Sequence, residues 1–265
     1  MTPKISVIMG IYNCASTLQE ALDSLYAQTF QDFEIILCDD DSSDNTYQVA
    51  EENAQTHKNI VLLKNETNKG LNYTLNRCLS VAKGEYIARM DGDDYSLPHR
   101  FKVEVDFLDT HIDYDIVSGP MLYFDENGVF RRGHGKGEIH KIDFIKGSPF
   151  CHAPCLVRTR AYKLVGGYTI DKNLLRVEDY HLWFKMYALG LKGYMLGEPI
   201  YAMRDDRNAI ARRNWKNRKN EIYVRYIGYK MLGLPWWSYI YCLRPLILAI
   251  LPLFLYNYLH KKVNS

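Results

Sequence analysis

Glu34-Ile35-Ile36-Leu37-Cys38-Asp39-Asp40-Asp41-Ser42-Ser43-Asp44-Asn45-Thr46 is an apolar run that gives out into acid and then opens a helical pattern. An uninterrupted apolar run of this length reads as a strand covered on both faces. Ser43, Asp44 or Asn45 can cap the helix that follows, which accounts for part of the polarity. It does not account for two further acids upstream of the cap. Carboxylates at the end of a buried strand sit at the carboxyl edge of a parallel sheet, where open α/β folds bind ligands. The same ending recurs where Glu85-Tyr86-Ile87-Ala88-Arg89-Met90 runs into Asp91-Gly92-Asp93-Asp94, and Glu178-Asp179 opens another helical pattern. Gathering such acids costs Coulomb energy, so a cation or a proton must offset it. A divalent metal carrying a diphosphate does both jobs at once.

Outward from these clusters, strand-like runs at 5–9, 34–38, 60–63, 86–90 and 116–118 alternate with helical stretches near 16–28, 45–56, 71–82 and 97–110. Short apolar strands joined by helices of that length imply crossover connections and a mostly parallel sheet flanked by helices. Beyond residue 119 the pattern changes. Asp125-Glu126-Asn127-Gly128 is a turn signal between the halves of a hairpin at 121–131. A helix near 139–145, a strand at 155–158, a Gly166-Gly167 turn and a helix over 178–189 complete the body.

The 265 residues suffice for one substantial core, and a composition 47% hydrophobic and 24% charged is that of a folded protein. The net charge of +2 hides a division. Residues 204–265 carry 12 Lys/Arg against 3 Asp/Glu, and the remainder carries 21 against 28. A basic tail on an acidic body points to an anionic surface, and the acidic body argues against nucleic acid. The tail sets Trp215, Ile222, Tyr226 and Tyr229 near one helical face of 212–230, then Pro235-Trp236-Trp237 and an uncharged run over 245–259. Those 15 residues fall short of the roughly 20 that span a bilayer, and aromatics beside Lys/Arg suit the headgroup boundary. We therefore expect two parts, a body over 1–210 and a membrane-associating helical tail over 211–265. Six scattered cysteines form no disulfide framework, and the amino terminus has no signal-peptide pattern. A cytoplasmic protein, peripheral on the inner face of the membrane, is expected.

The order, spacing and flanks of the motifs resemble the family 2 glycosyltransferases, inverting enzymes of the GT-A fold, over about residues 3–208. Ile5-Ser6-Val7-Ile8-Met9-Gly10-Ile11-Tyr12-Asn13 looks like that family's first strand and nucleotide loop, with Gly10 where proline is usual. Asp39-Asp40-Asp41-Ser42-Ser43-Asp44-Asn45-Thr46 matches its Asp-Asp-Gly-Ser-x-Asp-x-Thr element, with Asp41 in place of glycine. The runs 68–76 and 84–94 are similar to the bacterial surface-polysaccharide branch. Glu178-Asp179-Tyr180-His181 looks like its Glu-Asp motif, although His181 stands where an acid is common.

The resemblance implies roles. Ile11 and Tyr12 lie against the base or ribose of a nucleotide-sugar donor, a UDP-sugar by expectation, and Asp40 accepts a hydrogen bond from uracil. Asp91 meets the ribose or sugar, and Asp93 holds Mg²⁺ or Mn²⁺ on the diphosphate. Asp179 is the catalytic base that deprotonates a hydroxyl of a glycan or lipid-linked acceptor. Lys69, Arg89 and Arg204 are phosphate-contact candidates, and His152 and Glu178 are candidates on the acceptor or diphosphate side. An inactive nucleotide- or glycan-binding module at the membrane is the alternative. An Asp-dependent phosphohydrolase is disfavoured because Met9-Gly10-Ile11-Tyr12 supplies no nucleophilic acid. Arg212-Arg213-Asn214-Trp215 only partly echoes the Gln-x-x-Arg-Trp motif of processive synthases.

Overall fold

The continuous apolar runs become the centre of a sheet. The computed structural model describes residues 2–205 and 215–250. In it, β1 (Ile5–Ile11), β2 (Phe33–Asp39), β3 (Ile60–Lys64) and β4 (Tyr86–Arg89) run parallel in the order β3-β2-β1-β4. α1 (Ala15–Tyr26), α2 (Thr46–Thr56) and α3 (Leu71–Val81) make the crossovers. Every residue of β2 is buried because both its faces are covered. Ile36 and Cys38 face Leu75 and Cys78 of α3 in one core. Ile35 and Leu37 point the other way, into a core with Leu18, Ala21, Leu22 and Leu25 of α1. That spacing on α1 is one helical stripe, and each such side chain contributes ~2 kcal/mol by leaving water.

The second half is short-stranded. It comprises β5 (Tyr95–Ser96), α4 (Arg100–Thr110), β6 (Ile116–Ser118), β7 (Met121–Asp125), β8 (Gly128–Arg132), β9 (Gly137–Ile139), β10 (Leu156–Arg158), α5 (Thr159–Val165), α6 (Glu178–Ala188), β11 (Gly193–Met195) and β12 (Tyr201–Arg204). β10 pairs antiparallel with β4 and extends the main sheet to β6, β11 and β9. A second sheet has the order β5-β12-β7-β8 and contains the expected hairpin as β7 and β8. The helix expected near 139–145 is instead β9 followed by a 3-10 turn over Lys141–Ile145.

The tail packs onto the body as far as it is described. α7 (Trp215–Leu232) sends Val224, Tyr229 and Leu232 into the same core as Trp183 and Phe184 of α6. A Cβ on Gly228 would lie 2.2 Å from the Phe184 ring, so only glycine lets these helices approach this closely. Asn220 Nδ2 donates to the Leu175 carbonyl at 3.0 Å, and buried Arg225 donates to the Ile145 carbonyl at 3.0 Å. The buried face therefore runs through 220, 224, 225, 228, 229 and 232, while Trp215 and Tyr226, expected on it, are exposed. A 3-10 segment over Trp236–Leu243 and α8 (Arg244–Ile250) follow. Among the described residues no helix is long and apolar enough to cross a membrane. The boundary expected at 210/211, residues 212–214 of the synthase-like echo and the end of the uncharged run, 251–259, lie outside the described residues.

Candidate active site

β2 lies on one side of β1 and β4 on the other, so the strand order reverses at β1–β4. Such a switch point leaves a crevice at the carboxyl ends of the strands. A cavity of about 890 Å³ opens there, lined by Gly10 of β1 and Tyr12 just after it, Arg89 of β4 with Asp91 and Asp93 just after it, Glu178 of α6 and Arg204 of β12. A smaller cavity of about 260 Å³ holds Ile11, Asp40, Asn68 and Thr74, and shares Gly10, Tyr12 and Leu71 with the first.

Most of the first acidic cluster builds the loops rather than the ligand surface. Asp39 accepts from the Ser42 hydroxyl at 2.5 Å. Asp44 accepts from the Thr46 N–H at 3.0 Å and from the Ala15 N–H at 3.2 Å, tying the start of α2 to the start of α1. Those contacts, the Thr46 hydroxyl first, hold the Asp44 carboxyl below the usual range. Asn13, at φ 48°, accepts from the Ser43 N–H at 2.9 Å. Asp41, standing where the family pattern has glycine, adopts φ 62°, a conformation that glycine takes without strain. Asp40 alone turns to the smaller cavity. It is buried and accepts from Asn65 Nδ2 at 2.6 Å and from the Lys69 and Gly70 N–H groups, each at 2.8 Å.

In the second cluster Gly92 has a reason that sequence did not reveal. A Cβ there would sit 2.7 Å from Cys14 Sγ, so the glycine makes room for the residue that precedes α1 as well as lining the large cavity. The Thr17 hydroxyl also holds the Gly92 carbonyl at 2.8 Å. Asp91 is paired with Arg89 Nη2 at 2.5 Å. Burial works against the Arg89 charge, but Asp91 foremost among its neighbours holds the guanidinium above its ordinary range. Burial and then Asp91 push Asp93 upward. Asp94, buried beneath the loop, accepts from the Arg204 N–H at 2.8 Å and is pushed up to about 8 by burial and by Asp91 and Asp93. The loop thus holds more negative charge than its surroundings neutralise, which fits a divalent cation. Among the described residues no three His, Cys, Asp or Glu side chains form a cage. The donor set fits a magnesium-type site, in which one or two carboxylates are completed by phosphate oxygens.

Across the cavity, Glu178 and Asp179 open α6, whose N-terminus favours negative charge. Glu178 lines the large cavity and Asp179 stands beside it, without lining either cavity itself. Asp179 accepts from the Tyr180 N–H at 2.7 Å and is pushed up to about 7, by burial first and then by Glu178, while Arg89 pulls the other way.

Of the residues expected here, Ile11, Tyr12, Asp40, Arg89, Asp91, Asp93, Glu178 and Arg204 meet the two cavities. Lys69 lines neither cavity; it is exposed, and its backbone N–H serves Asp40. His152 is likewise not a cleft residue. It is 3% exposed, bonded to the Tyr168 hydroxyl at 2.7 Å and set edge-on to Trp183, and burial pulls it well below the ordinary histidine range. Two cations that sequence reading passed over line the large cavity, Arg176 and Lys216. Arg176 has φ 69°, backbone strain of a kind concentrated at functional sites. Lys216 lay hidden in a segment read as tail.

The family model for "Glycosyl transferase family 2" matches residues 6–165. The chain belongs to this family. It is a glycosyltransferase, 41% identical over 98% of its length to the protein named "Putative glycosyltransferase EpsE" of Bacillus subtilis (strain 168), of which it covers 94%. It is also 32% identical to the UDP-Glc:alpha-D-GlcNAc-diphosphoundecaprenol beta-1,3-glucosyltransferase WfaP of Escherichia coli, over 71% of this chain and 72% of that one. Among solved structures, S. aureus TarS 1–349 in complex with UDP-GlcNAc superposes with a TM-score of 0.70 at 20% identity, over 94% of this chain and 82% of that one. This family 2 chain has the GT-A architecture, a large and mostly parallel sheet flanked by helices, with aromatic helices at its C-terminal end.

Proposed function

We propose that the protein moves a sugar from a UDP-sugar to a hydroxyl of a glycan or lipid-linked oligosaccharide, with inversion, in cell-surface polysaccharide biosynthesis. The observation that carries this is the shared crevice. Asp40 faces a base-sized pocket, the Asp91–Asp93 loop faces the adjoining larger cavity, and Glu178-Asp179 stands across it. Tyr12, half exposed, lines both cavities, which supports the reading that it covers the nucleoside. Arg204, whose Nε holds the Asp93 carbonyl at 3.1 Å, fixes the acidic loop and presents positive charge to the diphosphate. Mg²⁺ or Mn²⁺ on Asp93 would offset the negative charge that develops on the leaving diphosphate. Asp179 takes the acceptor proton while the acceptor oxygen attacks the anomeric carbon from the face opposite that diphosphate. A screen of UDP-sugars with Mn²⁺ and undecaprenyl-diphosphate oligosaccharide acceptors is expected to give acceptor-dependent UDP release for one donor. UDP bound but never released with transfer would reject the activity.

In this reading residues 1–210 form most of the catalytic unit, α7 packs onto it and brings Lys216 to its cavity, and the tail over 211–265 also brings it to the inner face of the membrane. Trp236 is 86% exposed and Ile240 68%, on a segment whose Ser238 and Cys242 are buried against the body. Exposed aromatic and apolar side chains on a basic tail suit an anionic headgroup layer. Trp236→Ser with Ile240→Ser is expected to lower flotation with anionic liposomes about tenfold while leaving the melting temperature unchanged. Equal flotation of variant and wild type removes the membrane role.

A further inference from the structure

Of the four Lys and Arg side chains that line the large cavity, two are already committed to carboxylates. Arg89 Nη2 is paired with Asp91 at 2.5 Å, and Arg204 Nη2 with Glu20 at 2.8 Å. Arg176 and Lys216 are exposed, and among the described residues neither has a carboxylate partner. They come from different elements but meet at one end of the cavity. The Asn220 amide of α7 donates to the Leu175 carbonyl at 3.0 Å, which pins that helix to the residue before Arg176. Lys216 lies one turn before Asn220, on the same helical face. Arg176 in turn stands three residues before Asp179, and Leu175 and Glu178 line the same cavity. The unpaired positive charge therefore adjoins the start of α6.

We propose that Arg176 and Lys216 form an anion subsite for a phosphate or diphosphate of the acceptor, which selects acceptors that join the accepting sugar to an alkyl chain through such a group. The inference rests on the proposed transfer at this cavity and names the acceptor chemistry that the cavity reads. In an inverting displacement the acceptor oxygen enters opposite the leaving diphosphate. Charges on the donor and on the acceptor then lie on opposite sides of the anomeric carbon. The Asp91–Asp93 loop and Arg204 serve the donor side, so cations beside Asp179 are placed for the acceptor. A guanidinium can clamp two phosphate oxygens at once, and an ammonium adds a point charge without demanding one geometry. Leu175, 43% exposed and lining the same cavity, offers apolar surface that a chain leaving the phosphate would cover.

The test is calorimetry of the full chain, its donor site filled by UDP and Mn²⁺, titrated with geranyl diphosphate, with neutral geraniol and with inorganic pyrophosphate. Wild type is expected to bind geranyl diphosphate at least tenfold more tightly than either of the others. Lys216→Gln and Arg176→Asn, an asparagine because it tolerates the φ of 69° there, are each expected to weaken geranyl diphosphate about tenfold. Both are expected to keep UDP affinity within about twofold of wild type, and Lys216→Arg, which retains the charge, to keep both ligands. A loss of UDP affinity in step with geranyl diphosphate would assign the two cations to the donor. Unchanged geranyl diphosphate binding in both variants would leave them as solvated charges, and pyrophosphate bound as tightly as geranyl diphosphate would make the occupant a free phosphate. Each of these three results overturns the proposal while leaving UDP-dependent transfer standing. A wild type that fails to bind UDP with Mn²⁺ instead defeats the reading of the cavity itself.

Discussion

Asp179→Asn is expected to bind donor within about twofold of wild type and to transfer sugar roughly a thousandfold more slowly. The amide is nearly isosteric with the acid and still accepts from the Tyr180 N–H, so the start of α6 keeps its shape. What disappears is the only lone pair at that position basic enough to take a hydroxyl proton. A thousandfold loss corresponds to about 4 kcal/mol of transition-state stabilisation, within the span of a single general base. The pH profile gives an independent reading of the same residue. Burial and Glu178 raise Asp179 to about 7, and a base works only when deprotonated. Transfer at low substrate is therefore expected to rise with pH up to about 7 and level off above it. Asp179→Asn is expected to lose that acid limb. Stopped-flow or radiometric transfer assays across pH 5–9 measure both effects, and full activity in the variant would move the base elsewhere, with Glu178 first in line because it lines the cavity.

The first half of the fold was legible because its strands are mostly apolar on both faces and its helices are amphipathic. β2 and α1 show both signatures in order, and the carboxyl-edge acids could be assigned to one rim before any coordinates. The distal half was less legible for a physical reason. β9 and β11 are three residues each and are held by distant partners, β9 by β11 more than 50 positions away and β11 also by β6, so neither leaves a local pattern. α5 is a seven-residue helix whose left-handed cap at Gly166 was visible as a turn while the helix before it was not. α7 misled for another reason. Its core-facing side contains Arg225, whose guanidinium bonds the Ile145 carbonyl and lies over the Tyr180 ring, so the charge pattern of a buried face resembled that of a solvated one. Roles within the acidic clusters were only half readable. Asp39 and Asp44 differ from Asp40 in what they touch, not in residue type, and the demand for glycine at position 92 comes from Cys14, 78 residues away.

Asp93→Ala is expected to weaken UDP binding in Mn²⁺ by about a hundredfold or more and to leave the metal-free protein no less stable than wild type. The two expectations share one cause. Burial and Asp91 already push Asp93 upward in the free protein, and Asp93 in turn helps to raise Asp94 to about 8. Removing one of three crowded acids relieves repulsion that the empty fold carries at a cost to its stability. The loop geometry survives, since Arg204 Nε holds the Asp93 main-chain carbonyl and the Arg204 N–H holds Asp94. A carboxylate that is unfavourable alone and required with metal and diphosphate is retained for binding rather than folding. Calorimetry with UDP, with and without Mn²⁺, separates these contributions. Wild type stripped of metal is expected to fall to the affinity of Asp93→Ala, and the variant is expected to gain little from Mn²⁺. A variant that still responds to Mn²⁺ as wild type does would place the metal on another ligand, and a lowered melting temperature without metal would make Asp93 a structural residue.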